Sequence, residues 1–176
     1  KGLAHLLRAW QNVSPEYGLV LAAGSPDEPG IGKEVEDLIN ELQKTRKNVW
    51  WIKEMAPHDE LTALLTSADL FLCPSIYEPL GIVNLEAMGC ETAVLASRVG
   101  GIPEVVADNE TGRLVNYDAN NAAKFESDFT NQIEELMAKP ELLTQMGKAG
   151  RIRAEKHFGW DAVAKQTIEL YNSLLK

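Results

Sequence analysis

The spacing of apolar positions changes several times along this chain. Over residues 3–13, LAHLLRAWQNV, apolar side chains recur at Leu3, Leu6, Leu7 and Trp10, the repeat of one helix face. The runs GLVLAAG (18–24), NVWWIK (48–53), DLFLCPS (69–75), TAVLAS (92–97) and TGRLVN (111–116) are short and nearly continuous in apolar residues. That is the mark of strands buried on both faces. Between them lies KEVEDLINELQKTR (33–46), amphipathic through Val35, Leu38, Ile39 and Leu42, and HDELTALLTSA (58–68), with Asp59 as a cap or first-turn acid. A further helix starts near Gly81. GGIPEVVA (100–107) turns on two glycines into a short helix with Pro103 near its first position. After Asn120 only helical spacing remains, over about 121–138, 140–157 and 160–175.

Short apolar strands separated by helices predict an α/β fold, a Rossmann-like parallel sheet flanked by helices on both faces. Its crossovers should be right-handed. The expected division is an α/β core over 1–117 and a helical tail over 118–176 that packs back on the sheet or on another domain. SPDEPG (25–30) reads as an exposed loop with Asp27 and Glu28 solvated. The chain opens on a helix, whereas a doubly wound sheet opens on a central strand, so a strand upstream of Lys1 is expected.

Composition narrows the function. The length of 176 residues suits one domain, and 45% apolar with 24% charged residues is ordinary globular composition. A net charge of −9 argues against nonspecific binding of nucleic acid or anionic membrane. No apolar run approaches membrane-spanning length, and no signal peptide is visible. Cys73 and Cys90 read as free thiols of a cytoplasmic protein. His5, His58 and His157 lack ligand spacing, so neither metal nor cofactor is expected. KTRK (44–47) reads as a helix C-terminus complementing its dipole, and at least one of the alternating Trp50 and Trp51 should be core.

In an open parallel sheet, ligands bind where strands end and helices begin. Four such edges carry loop chemistry here: AAGSPDEPG, IKEMAPHDE, PSIYEPLGI and SRVGGIPE. The third is the richest. PSIYEPLGIVNLEAMGC (74–90) sets Glu78 in a turn with Pro79 and Gly81, and Glu86 inside the following helix. Eight helical residues would rise roughly 12 Å. Two acids so far apart do not share one reacting carbon as a retaining glycosidase's pair does at roughly 5 Å. They suit a long ligand with hydroxyls at both ends and a charged middle over the helix start. A nucleotide-sugar has that layout: sugar, diphosphate, ribose.

The residues also carry a resemblance. EPLGIVNLE resembles the E-x7-E motif of family 4 retaining GT-B glycosyltransferases. ASRVGGIPEVVADNETGRLV is similar to the Gly-Gly stretch and following strand of that family. KGLAHLLRA resembles its segment in which a lysine binds donor phosphate, and GWDAVAKQTIELYNSLL its closing helix, which crosses back to the N-terminal domain. Within the family, AAGSPDEPG, WWIKEM and CPSIYEPLGIVNLEAMGC look nearest to actinobacterial-type glycogen synthases, which use ADP-glucose to elongate α-1,4-glucan or to make maltose 1-phosphate. The resemblance implies the C-terminal, donor-binding domain of a GT-B hexosyltransferase, active on ADP-glucose or UDP-glucose. The acceptor, a glucan or sugar phosphate, would be held mainly by an N-terminal domain not in this sequence. The isolated domain would bind donor but hardly turn it over.

The resemblance also implies roles by position. Glu78 would bind donor-sugar hydroxyls. Leu80, Gly81 and Ile82 would meet sugar and phosphate through backbone N–H groups. Glu86 would bind the ribose and Lys1 the phosphates, with Lys1's arginine partner upstream. Met55 and its neighbours would pack on the base, and Gly100 and Gly101 would lie near the reacting end. Lys1 and Glu78 are thus the candidate catalytic pair. One departure stands out: MGCETAV places Glu91 where the family usually has glycine or another small residue. Two other classes fit more loosely, a nucleotide-binding module without transfer activity and a GT-B epimerase. YEPLGIVNLE speaks against the epimerase.

Overall fold

The computed structural model describes residues 1–24 and 29–175. Its elements run α1 (Leu3–Trp10), β1 (Leu19–Ala22), α2 (Pro29–Thr45), β2 (Val49–Ile52), α3 (His58–Ser67), β3 (Leu70–Cys73), α4 (Ile82–Gly89), β4 (Ala93–Ser97), α5 (Ile102–Val105) and β5 (Gly112–Val115). A 3₁₀ turn (Ala119–Asn121) leads into α6 (Ala122–Met137) and α7 (Pro140–Arg153), and a π turn (Ala154–Phe158) leads into α8 (Trp160–Leu174). The α/β alternation followed by a helical tail is as the apolar spacing predicts. Residues 25–28 of the SPDEPG loop, with Asp27 and Glu28, lie outside the described residues. The rest of that stretch differs from expectation, because α2 already begins at Pro29. Proline at a first helical position loses no hydrogen bond, so it starts this helix rather than delaying it.

All strand pairs are parallel, but they form two sheets rather than one: β1–β2, and β3–β4–β5. Among the described residues, β1 and β3 each pair with one strand only. The centre of the larger sheet is β4, every residue of which is buried. Successive side chains on a strand point to opposite faces, and β4 accordingly feeds two cores. Ala93 and Leu95 join Leu6, Leu7 and Trp10 of α1, Val35, Ile39 and Leu42 of α2, Phe125, Phe129, Ile133 and Leu136 of α6, and Met146 of α7. Val94 and Ala96 join Leu65 of α3, Ala87 and Met88 of α4, and Ile102 and Val105 of α5. Each large apolar side chain so buried contributes about 1.5–3 kcal/mol. Helices on both faces are therefore required by β4's composition, which leaves neither face fit for water.

The tail divides. α6 packs on α1 and β5, and α7 packs on α4 and β4. Thr130 of α6 donates to the Ala9 carbonyl at 2.9 Å, tying the tail to α1. α8 buries none of its residues and leaves Ile168, Leu170, Tyr171 and Leu174 exposed. The turn at Glu91 forms despite the absent glycine. Glu91 sits at φ 61, a conformation costing a non-glycine residue roughly 1–2 kcal/mol. Its N–H bonds to the Met88 carbonyl at 3.0 Å, and the N–H of Thr92 reaches Ala87 at 3.0 Å. Gly147 of α7 lies so close that a Cβ there would fall 1.8 Å from the Glu91 carbonyl oxygen.

Other single-residue expectations divide as well. Trp51 is half-buried against the first core and donates from Nε1 to the Ala23 carbonyl at 2.9 Å, while Trp50 is exposed. Arg46 of the KTRK run reaches away from its own helix to the carbonyls of Gln11, Val13 and Ser14, stapling the loop after α1. Cys73 and Cys90 are free thiols. Among the described residues, no helix is long and apolar enough to cross a membrane.

Candidate functional site

The carboxyl end of β3 gathers most of the residues singled out by sequence. Residues 74–81 form an irregular loop between β3 and α4. Gly81 takes the N-cap position of α4 at φ 95, a conformation open to glycine at little cost. The helix starts at Ile82, so residues 78–81 are not helical and the two-turn spacing of Glu78 and Glu86 does not apply. Glu86 is the fifth helical residue, a rise of roughly 6 Å from Ile82. In the first turn, the Asn84 N–H is taken by the Gly81 carbonyl at 2.9 Å. Those of Ile82 and Val83 have no partner among the described residues. They are the donors that give a helix N-terminus its affinity for anions.

Two contacts shape the loop. Gly2 precedes α1 at φ 76, and a Cβ there would fall 1.9 Å from the Pro74 carbonyl oxygen. Glycine at this point lets the chain start run against the loop, and Lys1 then reaches Glu78, Nζ to Oε2 at 2.7 Å. The lysine side chain is 74% exposed and the glutamate only 10%. The lysine side chain thus faces solvent while the carboxylate is nearly buried. From behind, Gly100 (φ +52) and Gly101 press on the same loop. Their Cβ atoms would fall 1.9 Å from the Glu78 carbonyl oxygen and 2.2 Å from that of Pro79. The Gly101 N–H donates to the Glu78 carbonyl at 3.0 Å.

The structure thus brings together Lys1, Glu78, Gly81, Gly100 and Gly101, with Leu80 and Ile82 partly exposed on the same loop and helix start. The backbones of Gly100 and Gly101 support the Glu78 loop, a packing duty the sequence did not reveal. Met55 stands apart in the loop between β2 and α3, 94% exposed. His5 pairs through Nδ1 with Glu126 at 2.7 Å and lies against Tyr117 and Phe125, away from His58 at the start of α3 and His157 in the π turn. Among the described residues, no three His, Cys, Asp or Glu side chains are grouped to hold a metal ion.

Sequence reasoning passed over three polar residues at this edge. Ser97 donates to the carbonyl of Ser75, and Ser75 contacts Cys73 Sγ at 3.5 Å, so the ends of β3 and β4 are laced through buried hydroxyls. Asn84 is fully buried in the first turn of α4, with neither side-chain amide atom hydrogen-bonded among the described residues. The signal for Asn84 was present in IVNLEAM, where one amide interrupts an apolar run.

The pattern is shared with known proteins. The model of the family described as "Glycosyl transferases group 1" matches residues 1–153. An alpha-maltose-1-phosphate synthase of Mycolicibacterium smegmatis is 48% identical over 174 residues, covering 99% of this chain and 45% of the relative. An MMP alpha-(1->4)-mannosyltransferase of Mycolicibacterium hassiacum is 34% identical, covering 99% of this chain and 40% of the relative. Among solved structures, sucrose-phosphate synthase from Thermosynechococcus elongatus is 32% identical with a TM-score of 0.77, over 99% of this chain and 42% of that one. The chain thus spans less than half the length of these relatives. With its parallel strands, covering helices and Glu78 loop, it belongs to the glycosyl transferases of group 1.

Proposed function

We propose that this chain is the donor-binding part of a retaining GT-B hexosyltransferase that takes glucose from ADP-glucose or UDP-glucose. The carrying observation is the Lys1–Glu78 pair at the mouth of α4, a solvent-exposed cation beside a nearly buried carboxylate. On this reading the diphosphate takes the place of Glu78 as partner of Lys1 and also faces the free N–H groups of Ile82 and Val83. The freed Glu78 accepts from sugar hydroxyls, and Glu86, one turn further along α4, accepts from the ribose. Met55 covers the base. The backbones of Leu80, Gly81 and Ile82 line the sugar and phosphate, with Gly100 and Gly101 behind. As the glycosidic C–O bond breaks, negative charge grows on the leaving diphosphate. Once Lys1 has turned to the diphosphate, it and the helix start lie where that charge develops, which is the contribution this chain makes to the barrier.

Glucose 1-phosphate is the acceptor we favour over an α-1,4-glucan, because the 48% identical relative is an alpha-maltose-1-phosphate synthase. The mannosyltransferase relative shows how far the sugar varies among similar chains. The acceptor site, the arginine partner of Lys1 and a further parallel strand between β1 and β3 belong, on this reading, to chain preceding Lys1. The open edges of β1 and β3 support the strand.

Calorimetric titration of the full-length protein with ADP, UDP, ADP-glucose and UDP-glucose tests the reading. Glu86→Ala should weaken nucleotide and nucleotide-sugar alike, by about tenfold, the worth of one hydrogen bond to a charged group. Glu78→Gln should weaken only the nucleotide-sugar. Absence of binding by all four ligands would refute the reading.

A further inference from the structure

Seven polar residues are buried among the described part of the chain, and six have partners. Thr92 bonds to Leu65, Thr111 to Ala107, Thr130 to Ala9, Ser97 to Ser75, Ser75 to Cys73 and Glu78 to Lys1. Asn84 is the exception; Trp10 Nε1 and Arg113 Nε are also buried without a partner, but each is a single N–H, whereas Asn84 leaves both a donor and an acceptor unpaired among the described residues. It is 0% exposed, and neither Oδ1 nor Nδ2 has a hydrogen-bond partner. Folded proteins seldom leave such a group unpaired, since a buried amide without a partner forfeits its bonds to water. An apolar residue of the same size would remove that cost, so its presence calls for a use.

The surroundings indicate the use. A Cβ at Gly81 would lie 2.6 Å from Asn84 Nδ2 and 3.6 Å from Glu78 Cγ. The amide and the stem of the glutamate therefore flank one backbone point, with Ile102 Cγ1 closing it 3.3 Å away. Among the described residues, Glu78 has one side-chain hydrogen bond, from Lys1. If Lys1 turns to a diphosphate, as the donor reading requires, a nearly buried carboxylate loses its donor. The uncommitted N–H pair of Asn84 is at hand, and it brings no charge that would compete for the phosphates.

We propose that Asn84 is a positioning residue for Glu78: when a nucleotide-sugar engages Lys1, Asn84 Nδ2 donates to the Glu78 carboxylate and holds it facing the sugar hydroxyls. The proposal rests on the donor reading above. It concerns the bound state, in which rotation of two side chains replaces the Lys1–Glu78 bond with an Asn84–Glu78 bond.

Two variants of the full-length protein test it. Asn84→Leu keeps the branched side-chain skeleton, with a somewhat larger volume, and removes both polar atoms. It should bind ADP or UDP within about twofold of wild type. It should bind the glucose-linked nucleotide about tenfold more weakly, or worse. Asn84→Asp keeps the shape but, when ionised, offers no donor and sets a second carboxylate near Glu78. Its nucleotide-sugar affinity should be low at neutral pH and recover toward acid, where a protonated carboxyl donates again. A role in packing alone gives neither the split between nucleotide and nucleotide-sugar nor the acid recovery. If Asn84→Leu binds nucleotide-sugar as wild type does, or weakens nucleotide and nucleotide-sugar equally, the proposal is overturned and the donor reading stands. If the leucine variant does not fold, the pH dependence of Asn84→Asp decides, a flat profile overturning the proposal. If wild type binds no nucleotide-sugar, the donor reading falls and the proposal with it.

Discussion

Gly100→Ala puts the contact behind Glu78 to a quantitative test. The backbone at Gly100 has φ +52. An alanine held there costs roughly 1–2 kcal/mol, lessened by about 0.4–1 kcal/mol because the unfolded chain is stiffer. The larger effect is steric. The new Cβ would fall 1.9 Å from the Glu78 carbonyl oxygen, so the two backbones must part by about 1.1 Å to reach 3.0 Å, and even that is tighter than most Cβ contacts. Such a shift stretches the Gly101–Glu78 bond, now 3.0 Å, well past hydrogen-bonding distance and forfeits about 0.5–1.5 kcal/mol. With strain in the displaced loop, the loss should reach about 2–4 kcal/mol. Urea denaturation should show a lowered midpoint with an unchanged slope. Gly101→Ala separates the causes: its φ is −82, yet its Cβ would meet the Pro79 oxygen at 2.2 Å. It should therefore destabilise by sterics alone. A Gly100→Ala protein within about 0.5 kcal/mol of wild type would refute the argument that backbone apposition holds the Glu78 loop.

Two further outcomes follow from particular contacts. Arg153 donates to the carbonyls of Glu104 and Val105, each at 2.8 Å, and so closes the C-terminal end of α5. Arg153→Met should cost about 1–3 kcal/mol, read from the urea midpoint. Glu135 has its carboxyl held below the ordinary value of 4.5, first by the hydrogen bond and charge of Lys139 and then by the charge of Arg113. A depressed folded-state pKa gives stability that is present above the unfolded value and is lost as pH falls through the folded one. The deficit of Glu135→Gln at pH 7 should therefore begin to shrink as pH falls toward 4.5 and vanish only below the lowered folded-state value, and it should be small and shrink with salt because the group is 38% exposed.

The α/β order, the parallel strands and the loop bearing Glu78 are legible in the sequence, because burial on both strand faces and the helix repeat are local properties written residue by residue. Local rules also fail at identifiable places. The breaker pattern of SPDEPG delayed α2 past Pro29, although proline suits a first helical turn. The charge run at 44–47 does end α2 with Lys44 in its last turn, as expected, but Arg46 serves three carbonyls more than thirty residues away in the chain.

What the sequence by itself determined is the set of elements and the identity of Glu78, Glu86 and the helix start between them. The tertiary structure alone decided that Lys1 meets Glu78 across 77 positions, that two glycines back the acid's loop, that the Asn84 side chain lies buried without a partner among the described residues, and that the strands pair as two sheets rather than one. The physical reason is that periodicity and turn chemistry act over a few residues. Close approach of backbones and the satisfaction of buried polar groups depend on which distant segments are packed together.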